Sequence, residues 1–495
     1  MKKNKNKTFS FVSLGCPKNL VDSESMFGIL LSRGFELVSE DLPADLVLIN
    51  TCGFIADARQ EAETEIARVI QRKERGEVSR IVVCGCLIPT EGEKLLERFP
   101  GVDAWVGPFD EPRIAEIVGT LPTVHRTASS PANRGLPVVQ AAFHHHRRRT
   151  LSFFDQVRLT LTQPHVAYLK IAEGCDRFCS YCAIPNIRGR FVSKPIEAIE
   201  EELDTLADSG VREVVLIAQE TTFWGSDLEG GYHLAELLRR LREKNAVDWI
   251  RVLYAYPTGW NDDLIAQFAV PHTPGQTWVL PYIDLPLQHA SDRILKRMNR
   301  RTGSSETQEL LIRLRESIPN LVLRSTFIVG FPGETEEEFL DLLAFVRRQR
   351  FERCGVFAYS AEKDTPAAAF EDQVNPKIKQ TRYEELYKVT TEISRQYAAS
   401  RVGNNVDILV DAPAIDETGE AAEKMRLGRS WAEAPDIDPV IYVTTDAAPG
   451  EMVQAEIVLP SDLDVIAADV DLSSDGQDPS SDDYDVPLDD QNDTE

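Results

Sequence analysis

Eight cysteines carry most of the chemistry this sequence can perform, and their spacing separates them into groups. Cys175, Cys179 and Cys182 stand in a C-x3-C-x2-C pattern, Cys175-Asp176-Arg177-Phe178-Cys179-Ser180-Tyr181-Cys182, directly after a strand-like apolar run. Three thiolates on one short loop suit three irons of a cubane iron–sulfur cluster and leave the fourth iron open to an outside ligand. Zinc is the competing reading. A structural zinc site takes four ligands, usually in pairs, and the fourth would have to be recruited from elsewhere.

Cys16, Cys52 and Cys86 each follow an apolar run near the start of the chain, the last two in Asn50-Thr51-Cys52-Gly53 and Cys84-Gly85-Cys86. In an open parallel sheet the carboxyl ends of neighbouring strands form the ligand crevice, so three thiols at those ends predict a second three-cysteine cluster. Read as three small buried hydrophobes they fit poorly, because each lies past its run beside Gly or Pro. Cys84 competes with Cys86 for the third place, and strand periodicity puts the two on one face. Cys86 is preferred because it follows the Gly85 turn, whereas Cys84 still belongs to the run. Cys354, at the start of an apolar strand, reads as a packed core thiol.

The elements that must position these thiols are legible in the periodicity. Runs at 8–14, 46–49, 81–83 and 104–106 alternate with helical stretches at 23–33 and 56–73, which predicts an α/β domain on a parallel sheet over 8–121. Residues 122–164 lose that rhythm and read as a linker; its His144-His145-His146-Arg147-Arg148-Arg149 run reads as a solvated basic stretch rather than a metal site. Six further runs, 166–171, 213–217, 250–254, 282–287, 321–329 and 355–359, each precede a helical stretch and predict a partial (β/α)6 barrel within 165–397, with its chemistry at the carboxyl ends of the strands. After a long helix near 377–400, runs at 405–410, 440–444 and 452–459 predict a small antiparallel barrel over 398–467. Gly330-Phe331-Pro332-Gly333-Glu334-Thr335 lacks the Lys-Ser/Thr of a phosphate loop and reads as a tight turn with Thr335 capping the next helix.

Charge is unevenly placed. The 495-residue chain has a formal net charge of −26, yet no Lys or Arg follows Arg429, and 19 Asp and Glu lie from Glu433 to Glu495. Residues 468–495 are single-signed, poor in hydrophobes and aperiodic, and read as a disordered tail. No apolar run approaches the roughly 18 residues of a membrane span. The basic start followed by Cys16 imitates a lipoprotein leader, but about eight weakly apolar residues precede the cysteine and Ser13 stands where leucine is wanted, so export is not expected.

The C-x3-C-x2-C loop resembles the radical S-adenosylmethionine (SAM) signature, and Cys16, Cys52 and Cys86 ahead of it resemble the methylthiotransferase family: an N-terminal cluster domain, a radical SAM barrel and a C-terminal TRAM barrel. Residues 217–222, 254–258 and 286–289, with 428–430 and 434–438, are similar to the branch of that family that modifies an aspartate of ribosomal protein S12. The resemblance implies two 4Fe-4S clusters and S-adenosyl-L-methionine as cofactors. It implies that SAM is chelated at the open iron beside Cys175, Cys179 and Cys182 and is cleaved to a radical that takes hydrogen from the aspartate β-carbon. Sulfur would come through the N-terminal cluster, and methyl from a second SAM. Tyr181 is expected at the adenine, Glu220 at the SAM ammonium, and Gln219, Gln288 and Arg324 at the methionyl or ribose part. The implied partners are ribosomal protein S12 or the small ribosomal subunit and an electron-donor protein, in the cytoplasm, with no membrane and no direct tRNA substrate. The same chemistry on a tRNA adenosine and a two-cluster electron carrier are the alternatives.

Overall fold

The computed structural model describes residues 7–121, 142–144, 158–231, 233–415 and 421–470. The His145–Arg149 run and the acidic tail beyond residue 470 lie outside them.

The first domain is a six-stranded parallel sheet. Its strands are β1 (Lys7–Ser13), β2 (Phe35–Leu37), β3 (Ala44–Thr51), β4 (Val78–Gly85), β5 (Ala104–Val106) and β6 (Ala142–His144), in the order β2-β1-β3-β4-β5-β6. β3 and β4 are apolar along almost their whole length because helices cover both faces. Helix α1 (Pro17–Ser32) follows β1, α2 (Ala56–Glu74) follows β3, and the short α3 (Leu87–Glu91) follows β4. This order reverses direction between β1 and β3, where a ligand crevice opens. The sequence reading is extended in two places. β2 is an edge strand with one buried residue, too short to show a period. β6 lies inside the stretch read as a linker.

The second unit contains β7 (Val166–Lys170), β8 (Ala172–Glu173), β9 (Val192–Ser193), β10 (Glu213–Ile217), β11 (Trp249–Val252), β12 (Trp278–Asp284), β13 (Val322–Val329) and β14 (Arg353–Ala358). β8 and β9 form a small antiparallel pair, and the other six form a parallel sheet in sequential order from β7 to β14. This is the expected partial barrel. β12 begins four residues before the predicted run, at Trp278. Thr335 caps the helix after β13 by accepting from the Glu338 amide, with Glu338 answering.

β15 (Asn405–Ile415), β16 (Ala421–Arg429), β17 (Ile441–Thr444), β18 (Met452–Ser461) and β19 (Asp464–Asp469) close the C-terminal barrel. It is antiparallel except for the β17–β19 pair. The periodicity missed β16, whose alternation is hidden by Glu423, Lys424 and Arg426, and β19, which is short and flanked by acids.

An incomplete barrel needs its lumen filled from outside. Val21 of α1, Leu409 of β15, and Ala432 and Ala434 of the loop after β16 belong to the same apolar cluster as the lumen residues Val166, Tyr168, Val215, Ile217, Leu280 and Tyr282. The loop 430–438 forms the floor. The Tyr168 hydroxyl donates to Asp436 at 2.7 Å and the Tyr282 hydroxyl to Asp438 at 2.5 Å. Arg251, wholly buried, pairs with Glu213 at 2.7 Å and donates to the Trp431 carbonyl at 2.8 Å. Glu433 is buried between Arg353 and Arg401.

Candidate functional site

Each N-terminal cysteine stands at a turn that glycine makes passable. Gly15 and Gly85 have φ of +96°, where a side chain is strained, and a Cβ on Gly15 would stand 2.9 Å from that of Cys52. A Cβ on Gly53 would meet the Cys86 carbonyl oxygen at 2.4 Å. The β1, β3 and β4 ends thus converge: charge on Cys16 helps to raise both Cys52 and Cys86, and charge on Cys52 helps to raise Cys86. Asn19 of α1, buried, ties the turns together: its Nδ2 donates to the carbonyls of Leu14 (3.2 Å) and Thr51 (3.0 Å).

Cys84 and Cys86 do not share surroundings. Cys84 belongs to the sheet-core cluster that holds Met26, Leu48, Val82 and Val106, whereas Cys86, past the Gly85 turn, belongs to a buried cluster with Ala183 and Ile187 of the second domain. The one-face argument fails because the positive φ of Gly85 ends the strand's alternation.

The second cysteine loop leaves β8 through Gly174, whose φ is +79° and whose Cβ would stand 2.2 Å from the Arg190 carbonyl oxygen. The loop is pinned from below: Ser180 donates its amide to the Met298 carbonyl and its hydroxyl to that of Arg297, and Asn299 donates to the Phe178 carbonyl at 2.7 Å. A helix α4 (Ile184–Arg188) follows at once.

Burial pushes the Cys175 and Cys86 thiols up to about 12, and raises Cys52 and Cys182 as well, with neighbouring thiolates adding to the effect. Thiols held so high give up their protons when a cation takes the proton's place, which suits an iron cluster. Among the described residues no three His, Cys, Asp or Glu side chains close on a single ion. Three thiols in each group match three irons of a cubane, whereas a structural zinc site takes four ligands.

Around the second loop, Glu220 is buried just past β10 and accepts two bonds from Arg177, one of 2.7 Å from Nε. Arg177 also donates to Thr258 at 2.9 Å and lies 4.2 Å from the Tyr256 ring centre. The Gln219 amide donates to Glu173 at 2.5 Å, leaving a buried Oε1 without a partner. Gln288 also has an unpartnered buried Oε1, and its backbone has φ of +74°, a strained state that persists where surrounding structure enforces it. Two buried amide oxygens without donors, beside the cysteine loop and at the end of β12, suit a polar ligand. Tyr181 is half-buried against the cluster of Met298, Phe331 and Tyr359, with its hydroxyl 3.4 Å from Arg300. Arg324 is committed elsewhere: it pairs with Asp284 at 3.0 Å and faces Asp438 of the floor at 3.8 Å. His289 is buried and pushed down to about 4, and Glu334, 3.8 Å away, is pushed up to about 7, both by burial.

The sequence reading missed the buried charges joining the two loops. Lys170 at the end of β7 pairs with Asp22 of α1 and, at 2.8 Å, with Glu173. Arg188 pairs with Asp22 at 2.6 Å and donates from Nε to the Cys86 sulfur at 3.2 Å. Arg59 at the start of α2 pairs with Glu362 at 2.8 Å. These partners lie up to 303 residues apart, so no local signal announces them; only the position of Arg188 six residues after Cys182 was available.

Three family matches divide the chain: "Uncharacterized protein family UPF0004" over residues 8–107, the radical SAM superfamily over 169–346 and the TRAM domain over 402–470. The chain is 40% identical over 461 residues to the ribosomal protein uS12 methylthiotransferase RimO of Lachnoclostridium phytofermentans, covering 92% of this chain and 98% of that protein. It is 42% identical over 463 residues to the protein of the same name from Geobacter sulfurreducens, covering 92% and 97%. Among solved structures it is similar to the radical S-adenosylmethionine methyltransferase TsrM of Kitasatospora setae, with TM-score 0.51 and 15% identity over 87% of this chain and 85% of that one; at that identity the likeness concerns the fold.

Proposed function

The chain belongs to the ribosomal protein uS12 methylthiotransferase RimO family, and from that premise we propose that it replaces a β-carbon hydrogen of an aspartate in ribosomal protein S12 with a methylthio group. The reading assigns one 4Fe-4S cluster to Cys175, Cys179 and Cys182 with SAM beside it, a second to Cys16, Cys52 and Cys86, and the domains to 8–121, 165–397 and 398–467. When bound, the first cluster and SAM supply a radical that takes hydrogen from an unactivated carbon, which no side chain can do by acid–base chemistry. The chain's own residues bind and orient. Glu220 shares its carboxylate between Arg177 and the SAM ammonium, Gln219 and Gln288 offer their unpartnered oxygens to SAM, and Tyr181 walls the adenine side.

One observation supports the reading most. Cys86 shares one buried cluster with Ala183, the residue after Cys182, and Ile187, so both cysteine groups border one domain interface at the barrel mouth, as transfer of sulfur to a radical formed nearby requires.

Charge favours a basic protein over tRNA. Residues 401–465 hold four bases against 14 acids. Arg401 and Arg429 are buried in ion pairs, and Arg426, half-buried, donates from Nε to the Ala447 carbonyl and from one terminal nitrogen to those of Ala422, Glu423 and Met425. Among the described residues that leaves Lys424 as the exposed base of the barrel, beside exposed Glu423, Asp436, Asp446, Glu451, Glu456 and Asp462. Such a surface repels phosphate and attracts a cationic partner. The reading places the enzyme in the cytoplasm with an electron-donor protein; no described helix is long and apolar enough to cross a membrane. Anaerobic reconstitution, followed by intact mass of S12 with and without SAM, tests it. A methylthio mass gain on S12 is expected, and transfer to tRNA instead would overturn it.

A further inference from the structure

Arg188 is 2% exposed and closes α4, the helix that follows Cys182. Its fork is fully used: Nε donates to the Cys86 sulfur at 3.2 Å, one terminal nitrogen to Asp22 at 2.6 Å, and the other to the Asn19 side-chain oxygen. That oxygen lies 3.5 Å from the same sulfur, while the Asn19 amide nitrogen holds the carbonyls ahead of Cys16 and Cys52. One residue of the helix that follows the barrel's cysteine loop thus fixes both the third N-terminal cysteine and the asparagine that gathers the other two.

Docking alone does not ask for this. Asp22 already has Lys170, and Glu362 already has Arg59. A docking cation also has no need to aim an N–H at sulfur. A guanidinium is always charged, and its planar fork sets direction as well as charge. Hydrogen bonds to cluster sulfurs make a cluster easier to reduce. On the proposed reading, we infer that Arg188 is a positioning residue through which the barrel's cysteine loop orients the Cys86 sulfur and raises the electron affinity of the N-terminal cluster, so that this cluster is tuned when the two domains are docked.

The test uses full-length protein carrying Cys175→Ala, Cys179→Ala and Cys182→Ala, which leaves the N-terminal cluster alone, with Arg188, R188K or R188Q. Iron content, the electron paramagnetic resonance of the reduced cluster and its midpoint potential are read. R188Q is expected to keep the cluster at a more negative potential with an altered resonance, and R188K to fall between. If R188Q loses iron, R188K carries the same comparison. In the enzyme with both clusters, R188K is expected to keep 5′-deoxyadenosine formation while methylthio transfer falls about 10–100-fold. Parent potential and resonance in both variants would overturn the inference, as would unfolding of both, which would make Arg188 a residue of the fold. Absence of iron in the Arg188 parent would instead sink the assignment of Cys16, Cys52 and Cys86.

Discussion

Cys84 and Cys86 stand two residues apart, and the structure gives them different neighbours. The glycine between them was legible; the residues that complete the site were not, because Arg188 and Lys170 reach Cys86 and Asp22 across more than a hundred positions. Cys86→Ser is expected to halve iron content and Cys84→Ser to leave it unchanged, read by iron analysis after reconstitution. On the proposed division of work between the two groups, Cys175→Ala should abolish SAM cleavage, whereas Cys52→Ala should leave cleavage and stop sulfur insertion; equal loss of cleavage with all iron bound would contradict this. Glu220 was legible by its place after the second barrel strand, but its engagement by Arg177 was not. Removing its charge should weaken SAM binding about 10–100-fold, the worth of one hydrogen bond to an ion, so calorimetric titration of Glu220→Gln with SAM should show that loss while iron content holds.

Elements were legible where apolar runs are long enough to show. β7, β10, β11 and β12 are buried almost throughout and read as short apolar runs, and they were found; β2 and β6 are three-residue edge strands, β16 carries charges that hide its alternation, and the apolar stretch of β19 is bounded by acids. The turns between elements carry their own test. Gly174 and Gly76 share a φ of +79°, but a Cβ at 174 meets the Arg190 carbonyl at 2.2 Å while one at 76 meets nothing within 4 Å. Gly76→Ala should cost only the local strain of about 1 kcal/mol. Gly174→Ala should displace the cysteine loop and lose the barrel cluster, seen as loss of half the iron with the N-terminal signal intact.

Across the whole molecule, the C-terminal barrel is held to the radical SAM barrel by buried charge. Burial alone would raise Glu433, but Arg401, Arg353 and the Ser430 hydroxyl outweigh it and hold the carboxyl near about 2. Because this value lies below that of the unfolded chain, the contribution is present above about pH 4.5 and is lost as pH falls towards 2. Thermal unfolding followed from pH 7 to 3 should show this acid loss in the parent. Glu433→Gln should be destabilised by roughly 3 kcal/mol at pH 7, because two arginines are left with an uncompensated buried charge, and should show a shallower acid dependence.

The floor loop 430–438 has a consequence for how the enzyme came by its modules. Tyr168, Tyr282 and Arg251, residues of the catalytic barrel, find their hydrogen-bond partners on a domain met some 150 residues or more further along the chain. A barrel cut from this chain before residue 401 would leave both phenols without these acceptors and Arg251 without its Trp431 carbonyl, keeping only Glu213, and its lumen open to water. The C-terminal domain is therefore no interchangeable recognition tag: grafting one from a tRNA-modifying relative should yield aggregated protein rather than retargeted enzyme, unless the donor brings its own floor loop with acceptors for both phenols. If the small barrel selects the substrate, as proposed, specificity and foldability are inherited together, and a change of substrate is expected on its outer surface while its inner loop stays in place.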